Sequence, residues 1–431
     1  MTTVPSKDHL LSRIADARDD LVALTRDLIR IPTINPPGDG YAPCSELIGA
    51  RLAQRGFTVE YLRAEGGLGD SDRYPRTNVI GRIEGGAPGR CIHFNSHIDV
   101  VAPGSGWTVD PFAAEMRGDR IYGRGACDMK GGLAASIVAV EALLSLWPDF
   151  PGAIEISGTV DEETGGYAGV AFLAERGYFS RPRVDYVIIP EPLHKDCVCL
   201  GHRGVWWAEV EVAGRIAHGS MPFLGTSAIR GMGAFLDKIE RDLYPALNQR
   251  RTTMPVIPED ARFSTLNLNS IHGGLDETEA GFPAALVADS CRLVLDRRYL
   301  IEESEEEVRR EIVGLLEAVR AERPDFRYEL RELWSVPPVM TDADSPLVRA
   351  LDRGIEQVLG RPARHVASPG TYDQKHVQRV GQLRDCVAYG PGILDLAHQP
   401  DEYVGIDDMI AAAQVMAAAM IDLLDGTGDG G

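Results

Sequence analysis

The chain repeatedly runs from a short apolar segment into a histidine or an acid. Arg90-Cys-Ile-His-Phe-Asn95 leads into Ser96-His97-Ile98-Asp99. Ala153 to Val160 leads into Asp161-Glu162-Glu163-Thr164-Gly165-Gly166, and Val184 to Ile189 into Pro190-Glu191. Apolar runs of this length bounded by turn residues read as buried strands. Helical patterns lie between them, over Gly132 to Trp147 and Ala168 to Arg176. Strands alternating with helices predict an α/β domain around a largely parallel twisted sheet, flanked by helices. In such sheets ligands sit beyond the carboxyl ends of the strands. The polar ends therefore meet at one edge, anchored by the apolar segments behind them.

The chain has 431 residues, more than the roughly 250–300 at which one core stops growing, so two domains are expected. The pattern changes after Arg203. Val205-Trp-Trp-Ala-Glu-Val-Glu-Val212 alternates like a half-exposed strand, and a helix follows over Ser227 to Leu243. Phe263 to Ile271 and Ala285 to Leu295 read as strands, and Ser304 to Glu322 as a charged amphipathic helix. Two helices over antiparallel strands make a small α+β domain at 203–327, inserted into a first domain formed by 1–202 and 328–431.

Composition excludes several functions. The 64 Asp+Glu exceed the 44 Lys+Arg, a net charge of −20. This opposes non-specific nucleic-acid binding, which needs a basic footprint, and docking on an anionic membrane. The seven cysteines are odd in number and mostly scattered, as in a reducing compartment. Cys197 and Cys199 share a strand face, but no second pair follows to complete a zinc ribbon. The N-terminus lacks a charged segment followed by an apolar one. Ile410 to Leu424 is broken by Gln414 and Asp422 and falls short of the ~20 residues that span a bilayer. A cytoplasmic protein without nucleic-acid or membrane partners is expected.

His97, Asp128, Glu162, Glu163, Glu191 and His398 form a metal-ligand set. Two divalent ions ~3.5–4 Å apart need about two imidazoles, a bridging carboxylate and a terminal carboxylate each. Imidazole and carboxylate without thiolate suit Zn²⁺, with Co²⁺ or Mn²⁺ as substitutes. Asp99 is placed to orient the His97 ring. Of the adjacent glutamates, one can ligate while the other stays free as general base.

Ser96-His97-Ile98-Asp99-Val100-Val101, Gly106-Trp107 with Asp110-Pro111-Phe112, Tyr122-Gly-Arg-Gly-Ala-Cys-Asp-Met-Lys-Gly-Gly132 and Asp161-Glu-Glu-Thr-Gly-Gly166 resemble the motifs of the M20 metallopeptidase family, in its acetylornithine deacetylase/succinyl-diaminopimelate desuccinylase branch. The resemblance runs from Ile31-Pro-Thr-Ile-Asn-Pro-Pro37 to His398. It implies that His97 and Glu191 hold one Zn²⁺ and Glu163 and His398 a second, two per subunit, with Asp128 as bridge. Glu162 is then the general base and acid, and Asp99 orients His97. The inserted domain becomes a lid that carries a homodimer interface.

Gly214-Arg-Ile-Ala-His-Gly-Ser-Met-Pro222 matches the lid motif whose histidine reaches the partner subunit's site, making His218 an oxyanion stabiliser in trans. Asp296-Arg297-Arg298 matches the segment with a substrate-carboxylate arginine, assigned to Arg298. Asn267 and Gly273-Gly274 match a strand and loop that face substrate. Ser368-Pro-Gly-Thr-Tyr-Asp-Gln-Lys-His376 departs from the family's Gly-Gly-Thr-Ser-Asp type of loop, keeping Gly370, Thr371 and Asp373. Gly370 and Thr371 are expected to touch substrate. Lys375 and His376 either contact an acidic acyl group or face solvent. The implied activity is hydrolysis of the amide bond of a small anionic N-acyl amino acid, with a di- or tripeptidase or carboxypeptidase as the alternative and a non-catalytic binding scaffold as a remote one.

Overall fold

A computed structural model describes residues 4–274 and 285–426. The chain divides into two compact units. One comprises Met1–Gly201, Met340–Val366 and Tyr372–Gly431, and the other His202–Val339 and Ala367–Thr371. The expected boundary at 327 falls at the start of a strand, Arg327–Val336, that pairs with Gly204–Ala213. The inserted unit is therefore longer than its sequence pattern indicated. The strand alternates half-exposed and exposed residues over most of its length, so it lacks the apolar run that would have marked it.

The first unit is built on a mixed sheet. From one edge the first seven of its nine strands among the described residues are Thr58–Arg63, Thr77–Glu84, Pro151–Thr159, Ala87–His97, Tyr186–Ile189, Cys386–Ala388 and Cys197–His202. Only the four central ones, Pro151–Thr159 through Cys386–Ala388, are mutually parallel. The flanking strands run antiparallel, so the α/β sheet is mixed, with a parallel centre. Gly85-Gly86 alone separates Thr77–Glu84 from Ala87–His97. Two residues are too few for the crossover that parallel strands require.

Behind this sheet lie helices Gly131–Leu146 and Ile406–Leu424. Leu133, Ile137, Val140 and Leu143 of the first and Met409, Val415, Met416 and Met420 of the second join one apolar core. A helix apolar all round belongs inside a domain or a membrane. Ala126–Leu146 has the length and composition of a membrane span, but it is packed within the unit. The seven cysteines are buried and unbridged.

The second unit is a four-stranded antiparallel sheet in the order Thr265–Gly273, Ser290–Tyr299, Gly204–Ala213 and Arg327–Val336. Helices Ala228–Lys238 and Glu305–Glu322 share its core, with Met232, Phe235, Val308, Ile312 and Leu316 packed against Trp206, Val210 and Leu295. Ser304 caps the longer helix in a reciprocal pairing with Glu307, satisfying two otherwise orphaned amides.

Candidate metal centre

The parallel strands place the ligand groups at their carboxyl ends. His97 is the last residue of Ala87–His97. Glu162 and Glu163 form a tight turn just beyond Pro151–Thr159, and Glu191 follows Tyr186–Ile189. Asp128 occupies a non-helical turn (φ −117°, ψ 95°) just ahead of the Gly131–Leu146 helix. His398 has a left-handed backbone (φ 64°) in the loop before the last helix.

These groups form two triads that share Asp128: His97, Asp128 and Glu191, and Asp128, Glu163 and His398. His97 Nε2 lies 3.0 Å from Asp128 Oδ1 and 3.8 Å from Glu191 Oε1. His398 Nε2 lies 3.1 Å from Glu163 and 3.5 Å from Asp128 Oδ2. Each Asp128 oxygen thus faces a different imidazole, as a bridging carboxylate requires. His97 Nδ1 donates to the Asp99 backbone carbonyl at 3.0 Å, which leaves Nε2 free to ligate.

Charge in the cluster calls for cations. Burial drives Glu163 up to about 7 and Glu191 well above the usual carboxylate range, with Asp128 adding repulsion to both. Bonds to Asp128 and Glu163 hold His398 up at about 10. Burial alone would lower His97, but its bonds to Asp128 and Asp99 outweigh burial and raise it. Burial also opposes charge on Asp128, yet His398 and His97 keep it below the ordinary range. The positive charge these surroundings favour on the imidazoles is charge that divalent cations would supply instead, so the two triads fit metal binding. Cys127 stays out of the set, its Sγ bonded to the Ile393 carbonyl and burial raising its pKa.

Asp99 does more than orient His97. Its side chain is 3.6 Å from that ring, and its two oxygens accept the amides of Glu162 and Glu163, each at 3.1 Å. Asn35, from the proline-rich turn near the N-terminus, donates to Asp99 at 3.0 Å and to Thr164 at 2.9 Å. Asp161, with a left-handed backbone (φ 63°), is tied to Tyr41 at 2.7 Å and Arg76 at 3.0 Å. The two glutamates therefore leave a turn locked from three directions.

Glu402 plays the corresponding part for Asp128. Fully buried, it accepts the amides of Cys127 at 2.9 Å and Asp128 at 3.1 Å, and it is paired with Arg124. Arg124 also donates to the His398 carbonyl at 3.2 Å. One ion pair thus supports ligands from both triads. The spacing of four residues from His398 to Glu402 was the available sequence signal. Asn35 and Arg76 offered none, because their partners lie far along the chain.

The Ser368–His376 segment holds two corrections. Lys375 does not face solvent. Its side chain is 1% exposed and its Nζ lies 3.3 Å from Glu162 Oε1. His376 is also buried, its Nε2 donating to the Gly165 carbonyl at 2.7 Å. Burial pushes its pKa down to about 3, so it is neutral and cannot serve as a cationic contact for an acyl carboxylate. Asp373 accepts from Asn95 at 3.1 Å, and burial drives it up to about 7.

The second unit contains His218, Asn267, Arg298, Gly370 and Thr371. His218 is exposed, and its Nδ1 accepts the Ser220 amide at 3.1 Å. An accepting Nδ1 places the ring proton of the neutral form on Nε2, where it can be donated. Asn267 is exposed and donates to Asn269 at 2.7 Å. Arg298 is bound at two points by Asp296, at 2.7 and 3.1 Å, and is partly exposed. Arg297 is fully buried against Glu303 and Glu311, which leaves Arg298 as the accessible one of the two. The Gly370 amide donates to the Ser368 hydroxyl at 3.2 Å. Arg203, not singled out by sequence, is buried among the carbonyls of Pro369, Ala261 and Phe263, and burial with nearby Arg298 lowers it to about 10.

Comparisons with known proteins agree with this architecture. Residues 93–422 match the model of peptidase family M20/M25/M40. A succinyl-diaminopimelate desuccinylase of Stenotrophomonas maltophilia is 31% identical over 399 residues, covering 90% of this chain and 95% of that protein. The Marinobacter nauticus protein of the same name is 29% identical over 407 residues, covering 93% and 98%. Human carnosine dipeptidase 1 shares the fold with a TM-score of 0.73 at 19% identity, covering 98% of this chain and 100% of that one. The di-peptidase Dug1p of Saccharomyces cerevisiae does so with a TM-score of 0.75 at 14% identity, covering 98% and 99%. The chain belongs to peptidase family M20/M25/M40, whose members are metal-dependent hydrolases.

Proposed function

We propose that this hydrolase cleaves the amide bond of a small N-acyl amino acid carrying an extra carboxylate, of the succinyl-amino-acid type, with a pair of Zn²⁺ ions at the two triads. The observation that carries the reading is the shared Asp128 beside a pair of adjacent glutamates, of which only Glu163 joins a triad. Cations there would polarise the scissile carbonyl and make a nearby water more acidic. Glu162, whose carboxylate is outside both triads, takes the proton from that water and returns it to the leaving nitrogen. His218 of the partner subunit, with its donor on Nε2, stabilises the carbonyl oxygen as it gains charge. Arg298 binds the substrate carboxylate at two points, a geometry that suits a guanidinium, and Arg203 adds positive charge beside it. Asn267, Gly370 and Thr371 complete the substrate contacts. The relatives named as desuccinylases favour a succinyl group. The working form is a homodimer in the cytoplasm.

An amine-release screen over acetyl, succinyl, formyl and carbamoyl amino acids and over dipeptides, with added Zn²⁺ or Co²⁺, tests the substrate. Turnover of the succinyl compounds is expected. Turnover of dipeptides alone would replace this reading with a dipeptidase. Mixing His218→Ala with Glu162→Gln subunits tests action in trans, since the heterodimer should regain activity that neither variant has alone.

A further inference from the structure

Glu162 and Glu163 leave one turn, and their amides share one anchor, Asp99. The backbone anchor alone does not make one side chain a ligand and the other a free base. The cation that each carboxylate faces differs. Glu163 lies 3.1 Å from His398 Nε2, whereas Glu162 lies 3.3 Å from Lys375 Nζ. We propose that Lys375 is a positioning residue that holds Glu162 as the free base and keeps its carboxylate out of the coordination sphere Glu163 enters. This inference rests on the assignment of Glu162 as base made above.

Burial makes the contact consequential. An ammonium withdrawn from water is costly unless paired, and Glu162 is the one hydrogen-bond partner of Lys375 Nζ among the described residues. Lys375 approaches from a fixed base. On one side, Gln374 receives a bond from Tyr372 at 2.6 Å and donates to the Leu200 and Cys386 carbonyls at 3.0 and 2.6 Å. On the other, His376 binds the Gly165 carbonyl, two residues past Glu163. The segment that bears the lysine and the turn that bears the glutamates are thus joined twice, by an ion pair and by a ring-to-carbonyl bond. Lysine is also the suitable cation. A point charge on Oε1 leaves Oε2 for a water, whereas a guanidinium fork tends to occupy both oxygens.

Lys375→Met and Lys375→Arg, each alone and with Glu162→Gln, test the inference by three measurements. In Lys375→Met, kcat should fall about 100-fold, as for a misplaced catalytic group, with KM within about threefold of wild type. Lys375→Arg should recover about tenfold of that loss, because it restores the cation. An unchanged kcat, or a raised KM with kcat intact, would overturn the role, the second result making Lys375 a substrate contact. The visible spectrum of the Co²⁺-loaded protein should change in Lys375→Met and revert when Glu162→Gln is added. A spectrum indifferent to Lys375 would overturn the exclusion from the coordination sphere. In chemical denaturation of the metal-free protein, the double variant should be no less stable than the weaker single one, since each single change leaves one charge of the pair uncompensated. Additive losses would overturn the pair. A wild-type protein inert on every amide would instead remove the general-base reading itself, so the two failures are separable.

Discussion

The metal edge of the first unit and the polar residues of the second are built to different standards. The anchors behind the metal edge each hold more than one group. Asp99 carries two amides and is itself held by Asn35, and Glu402 carries two amides and an arginine. In the second unit, His218 and Asn267 are exposed, and among the described residues the side chains of His218, Asn267 and Arg298 are bonded by Ser220, Asn269 and Asp296 respectively. Rigid burial, which His97, Asp99 and Glu402 share and the exposed His398 does not, suits groups that must meet developing charge without reorganising. Exposure suits groups that must read a substrate and let it go. Under the assignment proposed above, Arg298 and Asn267 serve recognition while the oxyanion donor His218 serves the chemistry, so variants at Arg298 and Asn267 and variants at the metal edge should alter different kinetic constants.

Removing the cations should have the largest effect. Dialysis against a chelator should abolish hydrolysis, and Zn²⁺ or Co²⁺ should restore it, as followed by amine release; activity that survives complete metal removal would erase the special status of the metal edge. Next comes Glu162→Gln. Loss of a general base costs roughly 10²–10⁴ in rate, so kcat should collapse while metal content by elemental analysis stays at the wild-type value. On the recognition side, Arg298→Ala should raise KM by about 10–100-fold, on the order of a lost charged hydrogen bond at 1.5–3 kcal/mol, with kcat nearly kept. A collapse of kcat there would blur the division. Glu402→Gln should weaken metal binding about 10–100-fold, the usual cost of a disturbed outer ligand partner, measured by competition with a chromophoric chelator.

The smallest effect is on stability against pH in the metal-free protein. His398 and Glu163 both have folded-state pKa values raised above their ordinary ones, to about 10 and about 7. The folded state therefore holds protons that the unfolded chain releases earlier. The stability these groups contribute is fully present below about pH 4.5 for Glu163 and 6.5 for His398, and it is lost as pH rises through 7 and 10. The melting temperature should fall across that alkaline window, and saturating Zn²⁺ should flatten the decline by taking the place of the protons.

Much of the metal edge could be read in the sequence, for a physical reason. His97, Glu162, Glu163 and Glu191 each follow an apolar strand, so local pattern and chemistry coincide. The supports of that edge were hidden. Glu402, Asn35, Arg76 and Lys375 act on partners that folding alone brings near, and periodicity carries no such information. Lys375 and His376 illustrate the limit: a polar Gln-Lys-His run reads as either an acyl-group contact or solvent-facing surface, yet it is pinned under the glutamate turn. The fold was legible in its order of elements. The antiparallel flanks of the main sheet and the extra strand Arg327–Val336 were not, because direction and pairing are long-range properties.

The turn at Asp161–Gly166 constrains how this enzyme could acquire new substrates. Asp161, Gly165 and Gly166 all have left-handed backbones, and a side chain at Gly166 would begin 2.7 Å from Asp373 Oδ1. Random substitution there should yield dead or unfolded proteins and almost never altered ones. Under the proposed substrate contacts, a library aimed at a different acyl group is better spent on Asn267 and Arg298, whose exposed or partly exposed surface tolerates change. The same asymmetry lets descendants of one such chain diverge in diet while inheriting an unaltered reaction.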